Sequence, residues 1–189
     1  MLEENISKTE EAAKKAFPYE QWDDAASLEF KYGGKDFELP DGIDNIKVAR
    51  SRLTGLKDDE RTLAKEIRQG KVLADTGASV FILPKIRAPD GRYLAGPDAL
   101  VNGILYEFKT VTGGIDKVER RFRESRDQGQ NVFIRVMNPD ITKHNIIRKM
   151  YSVVNDPKYT GGFKGDLIFS VGQGVNETLY YVKISDLKK

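Results

Sequence analysis

Apolar residues return every three or four positions in some stretches of this chain and gather into short β-rich runs in others, and the two spacings divide it into elements. A helix is predicted over about residues 2–16, stopped ahead of Pro18. Residues 17–57 hold Gly33-Gly34, Pro40 and Asp41-Gly42 between short apolar patches and read as irregular. From Lys57 the pattern sharpens. Asp58 or Asp59 can cap a helix that turns Leu63, Ala64 and Ile67 inward and stops at Gly70. Val80-Phe81-Ile82-Leu83 reads as a strand ended by Pro84, and residues 98–109 as a hairpin turned on Asn102-Gly103. A helix over 115–128 carries Ile115, Val118, Phe122 and Ser125 on its inner face, and a buried strand follows at 131–137. Pro139-Asp140 opens another helix, with Ile141, Ile147, Met150, Tyr151 and Val154 toward a core. Strands at 166–171 and 178–184 follow, joined by a turn at Gly172–Gly174. The order helix, three strands, helix, strand, helix, two strands predicts an α/β domain in which helices flank a mixed central β-sheet. Residues 1–56 are set apart as an accessory segment from a domain over 57–189.

Composition narrows the chemistry. The 189 residues contain no cysteine and one histidine, His144, which excludes thiol nucleophiles, disulfides, zinc–thiolate sites and multi-histidine metal sites. No apolar run reaches the roughly 18 residues of a spanning helix, and the charged start MLEENISKTEEAAKKAF is unlike a signal peptide. Net charge is only +2, but it is unevenly spread. Residues 1–66 carry 16 acids against 11 bases, whereas 117–149 carry nine bases against four acids. Lys117, Arg120, Arg123 and Arg126 recur at helical spacing in the basic stretch and are candidates to meet phosphates, or a solvated face of intrahelical pairs.

The hairpin brings chemistry with it. With Asn102-Gly103 as the two turn residues, Asp98 is predicted to stand opposite Glu107. Like charges in direct cross-strand register destabilise a sheet unless a cation lies between them. Strand alternation puts Lys109 on the face of Glu107 and sends Tyr106 and Phe108 the other way. Two carboxylates and an ammonium on one face suit metal-assisted phosphodiester hydrolysis, in which oxygen ligands hold a divalent ion and the lysine orients a water.

Pro97-Asp98 followed by Glu107-Phe-Lys109 resembles the PD-(D/E)XK nuclease pattern, and the order of elements resembles that superfamily's restriction-endonuclease-like αβββαβ core. The runs ERTLAKEI (60–67), VFILPKI (80–86), GPDALVNGILYEFKT (96–110) and GIDKVERRFRESRDQGQNVFIRV (114–136) are similar to nuclease toxin domains at the C-terminus of contact-dependent growth inhibition proteins and of some phage head proteins. The resemblance spans about 57–187. It implies an endonuclease acting on tRNA in preference to DNA, using Mg²⁺ or Mn²⁺ ahead of Zn²⁺. It also implies a cognate immunity protein, and delivery from a producing cell into the cytoplasm of a target bacterium. Asp98, Glu107 and Lys109 take the motif's roles. A further metal-binding acid on the first helix is placed at Glu60, with Glu66 in reserve; the long link 71–78 leaves that choice open.

Other chemistries remain. A metal-independent ribonuclease would use Lys109, His144 and the arginines, with the RNA 2′-hydroxyl as nucleophile. A non-enzymatic module would bind nucleic acid through the basic helix. Asp75-Thr76-Gly77 has the look of an aspartic-protease signature, but such a site needs a second aspartate and an almost wholly β chain; the expectation here is a plain turn.

Overall fold

In the computed structural model, which describes residues 2–125, 131–159 and 165–189, the two sequence periodicities become five α-helices and eight strands, a mixed α/β protein. The chain gathers into two compact units, Met1–Leu105 and Tyr106–Lys189.

The first unit contains α1 (Leu2–Ala16), β1 (Trp22–Asp24), β2 (Ile46–Ala49), α2 (Lys57–Ala74), β3 (Val80–Ile82) and β4 (Ala99–Val101). β1 pairs antiparallel with β2, β2 parallel with β3, and β3 antiparallel with β4. Residues 1–56 supply two strands of this sheet and one covering helix. Ala13 of α1 packs with Phe81 and Leu100 on one face, joined by Phe17 and Trp22. Ile46, Val80 and Ile82 point to the other face and meet α2.

Two expectations about α2 change. It begins at Lys57 with Leu56 as N-cap, so Asp58 and Asp59 lie in its first turn, where their charge complements the helix dipole instead of capping. It also continues through Gly70 to Ala74. Gly70 is there for close approach, because a Cβ at this position would sit 3.1 Å from Val80 Cγ1. The helix absorbs most of the long 71–78 link. The Asp75-Thr76-Gly77 run is its terminal turn, with Gly77 at φ +86° and Asp75 ion-paired to Lys71.

The hairpin turn takes the predicted form. Asn102 and Gly103 have φ of +51° and +83°, the double left-handed geometry of a tight two-residue turn. Asn102 clamps it to the start of β3, since its N–H donates to Ser79 O and its Oδ1 accepts from Ser79 N, both at 2.9 Å.

β5 (Ile104–Val111) leads into the second unit, where α3 (Ile115–Ser125), β6 (Val132–Val136), α4 (Lys143–Val154), β7 (Asp166–Val171), β8 (Thr178–Lys183) and α5 (Ile184–Leu187) follow. β5, β6 and β7 run parallel, and β8 closes antiparallel on β7. Val111, Ile134, Val136, Leu167 and Phe169 form one core with Val118 and Phe122 of α3 and with Ile146, Met150 and Val153 of α4. Each such side chain contributes about 1.5–3 kcal/mol by leaving water. α4 starts later than predicted, because Thr142 caps it in a reciprocal capping box with Asn145. The inner face is consequently Ile146-Met150-Val153-Val154, and Tyr151 turns to solvent. Among the described residues, no helix is long and apolar enough to cross a membrane.

Candidate active site

The first unit buries an ionic quartet. Glu66 lies on the inner face of α2, Asp98 immediately precedes β4, Lys85 follows β3 after Pro84, and Arg52 sits in the turn after β2. The N–H of Leu83 donates to the backbone oxygen of Asp98 at 2.9 Å, which fixes the aspartate beside the end of β3. Lys85 Nζ forms an ion pair with Asp98 Oδ1 and stands 3.3 Å from Glu66 Oε1. Arg52 Nη1 lies 2.8 Å from Glu66 Oε2 and donates to Leu83 O at 2.9 Å. Arg52, Glu66 and Asp98 are only 5%, 5% and 6% exposed, so each charge depends on its neighbours in a medium that screens weakly. Burial pushes the Glu66 carboxyl above its ordinary range despite Arg52. Burial also pulls the Lys85 ammonium down, but Glu66 and Asp98 together outweigh it and the net shift is upward.

Glu60 stands elsewhere. Its Oε2 accepts from the backbone N–H of Lys31 at 3.0 Å, so its carboxylate secures the segment between β1 and β2. Glu66 is six positions further along, which at 100° per residue turns the two side chains about 120° apart on the helix. The acid brought to Asp98 is Glu66, through Lys85. Neither Lys85 nor Arg52 was singled out in the sequence; the one available signal was a lysine directly after an apolar strand and a proline.

The second unit holds the motif's Glu-x-Lys. Glu107 and Lys109 project from one face of β5, with Lys109 Nζ 2.5 Å from Glu107 Oε1 and Glu107 only 3% exposed. In register they lie beside Val132 and Ile134 of β6, on the side of the sheet that α3 and α4 cover. Phe108 turns the opposite way and meets Phe133 edge-on at 5.5 Å. The Glu107 N–H is held by Asn131 O at 3.0 Å, and Asn131 Oδ1 in turn accepts from Asp166 N.

Among the described residues no group of three or more histidine, aspartate or glutamate side chains converges as a ready metal cage. The donor chemistry of the first unit nevertheless fits a hard cation: two buried carboxylates share the Lys85 ammonium between them, while Arg52 holds the other oxygen of Glu66.

The basic helix is largely self-paired. Arg123 bonds Glu119 at 2.6 Å, Arg121 bonds Glu124 at 2.8 Å, and Arg120 lies 3.5 Å from Glu124. Lys149 of α4 reaches Glu119 and Asp116. Lys117 makes no ion pair with a described residue, and Arg126 lies outside the described residues. Arg135 is engaged by a bidentate bond to the Glu177 carboxylate, whose Oε1 also accepts from Ser170. His144 is exposed near the start of α4. Compared with known proteins, the chain matches no family model, no curated protein and no solved structure.

Proposed function

We propose that this chain is a metal-dependent endonuclease of the toxin type, hydrolysing phosphodiester bonds in tRNA before DNA and held in check by an immunity protein. The observation that carries the reading is the pair of buried carboxylates, Glu66 and Asp98, gathered around one cation beside the hairpin that bears the Pro-Asp of the motif. Asp98 and Glu66 would hold the divalent ion. Such an ion would acidify a water and polarise the phosphate. That Glu107 adds a ligand and Lys109 orients the water rests on the resemblance of the sequence; within the second unit, Lys109 is ion-paired to Glu107 and so held in one place. The exposed Arg120–Glu124 pair on α3 is worth only about 0–1 kcal/mol, so Arg120 can exchange a glutamate for a phosphate at little cost, whereas the half-buried Arg123 would have to leave Glu119 to do so. The preference for tRNA and the immunity partner rest on the resemblance of the sequence alone.

Purified protein incubated with total tRNA or plasmid DNA, under Mg²⁺, Mn²⁺, Zn²⁺ or EDTA, tests this. Cleavage is expected with metal and not with EDTA, and Asp98→Asn, Glu107→Gln and Lys109→Met should each lower the rate about a hundredfold or more. Cleavage that survives EDTA and leaves 2′,3′-cyclic phosphate ends would replace this reading with the metal-independent ribonuclease. No cleavage of either polymer under any metal would end it.

A further inference from the structure

The quartet is unequal in its freedom to move. Arg52 is fixed twice, by Glu66 and by the Leu83 carbonyl, and both carboxylates belong to buried, regular parts of the fold. Lys85 differs. It sits in a loop, its side chain is 23% exposed where those of Arg52, Glu66 and Asp98 are 5%, 7% and 9%, and it borders a cavity of about 50 Å³ shared with Pro84, Ile86, Gly96 and Pro97. Its flexible stem therefore has an exit toward solvent that the other three members lack. Glu66 Oε2 is buried with Arg52 Nη1 2.8 Å away, and each carboxylate oxygen can accept from two directions, so this carboxylate has acceptor capacity beyond Arg52 and Lys85.

Two buried carboxylates and two cations leave the quartet neutral. Withdrawing Lys85 removes the positive charge that stands between Glu66 and Asp98. A divalent cation arriving at the same place would replace it, offering two positive charges to oxygen donors already in position.

We propose that Lys85 is a resident counter-cation: it occupies the place between Glu66 and Asp98 until a divalent metal displaces it toward solvent, so the protein keeps its acids paired when unloaded and binds metal more weakly than its carboxylates allow. This rests on the metal-dependent reading above and adds a competitor for the metal.

The test is Mn²⁺ binding, read by calorimetry and by the electron paramagnetic resonance signal of free Mn²⁺, on the wild type, Lys85→Met, Lys85→Arg and Asp98→Asn. Lys85→Met, which keeps an apolar stem and loses the charge, should bind Mn²⁺ at least about tenfold tighter than wild type, a difference of about 1.4 kcal/mol. Its melting temperature should be lower without metal and recover when Mn²⁺ is added. Lys85→Arg should bind no tighter than wild type. Should Lys85→Met fail to fold, wild-type protein still answers: amine acylation by acetic anhydride, read by mass spectrometry, should rise at Lys85 when Mn²⁺ is added. Affinity unchanged in Lys85→Met, or labelling of Lys85 indifferent to Mn²⁺, overturns the competitor while leaving the nuclease reading intact. Absence of Mn²⁺ binding by every form overturns both.

Discussion

Arg135 and Glu177 show what a single buried charge is worth in this protein. The guanidinium and the carboxylate meet through two parallel hydrogen bonds at 2.8 and 2.7 Å, and their side chains are 17% and 5% exposed. Replacing one partner leaves the other charged and enclosed, which typically costs about 3–5 kcal/mol, whereas replacing both with apolar groups is often neutral. Arg135→Met should therefore destabilise the fold by about that amount, and Arg135→Met combined with Glu177→Leu should recover most of the loss in urea denaturation. A double variant no more stable than the single one would show that the stranded carboxylate is not the cause. The same logic explains why Glu66 was hard to prefer over Glu60 from sequence. Both glutamates are buried, at 4% and 5% exposure, and they are the same letter; only their partners distinguish them, the Lys31 backbone for Glu60 and Arg52 and Lys85 for Glu66.

Among the elements, α3 and α4 are joined by ionic contacts above their shared apolar core. Lys149, then Arg123, hydrogen-bond the Glu119 carboxylate and hold it below its ordinary value of 4.5. A carboxyl depressed in the folded state stabilises the protein above its unfolded value and loses that contribution as pH falls through the depressed one. Glu119→Gln should thus lower the melting temperature at neutral pH, by the equivalent of about 1 kcal/mol for contacts that stay partly open to solvent. The gap to wild type should close as pH drops below 4.5. A gap that stays constant across that range would mean the carboxylate's charge is not what joins the helices. The elements themselves were largely legible, because periodicity is local: 2–16, the Asn102-Gly103 turn and the inner face of α3 stand where the spacing put them. What spacing misled on was decided at a distance. Gly70 looked like a stop because glycine usually ends helices, and only the approach of Val80 reveals why it continues one. β1 and β2 were invisible because strands of three and four residues leave too little alternation to register, and they exist through pairing, β1 with β2 and β2 with β3.

Over the whole chain, charge is partitioned with the architecture. Residues 1–105 carry 19 acids against 16 bases, and residues 106–189 carry 15 bases against 10 acids. A polyanion should therefore be drawn to the second unit, with an affinity that falls steeply as salt rises. For Asp98→Asn protein bound to tRNA and followed by fluorescence anisotropy, Lys117→Gln and Arg120→Gln should each flatten the plot of log affinity against log salt by about one unit. An unchanged slope would take α3 out of contact with the nucleic acid. One small feature of the first unit reaches further than its size. Gly70 stands four residues, one helical turn, beyond Glu66, and its bare backbone sets how near α2 lies to the sheet. Exchanging a helical glycine for alanine is ordinarily a safe way to toughen a protein. At this position the added methyl would stand 3.1 Å from Val80 Cγ1, so the exchange gains nothing unless Val80 gives way, and the seat of the helix that carries Glu66 is cut to the shape of a side chain that is not there.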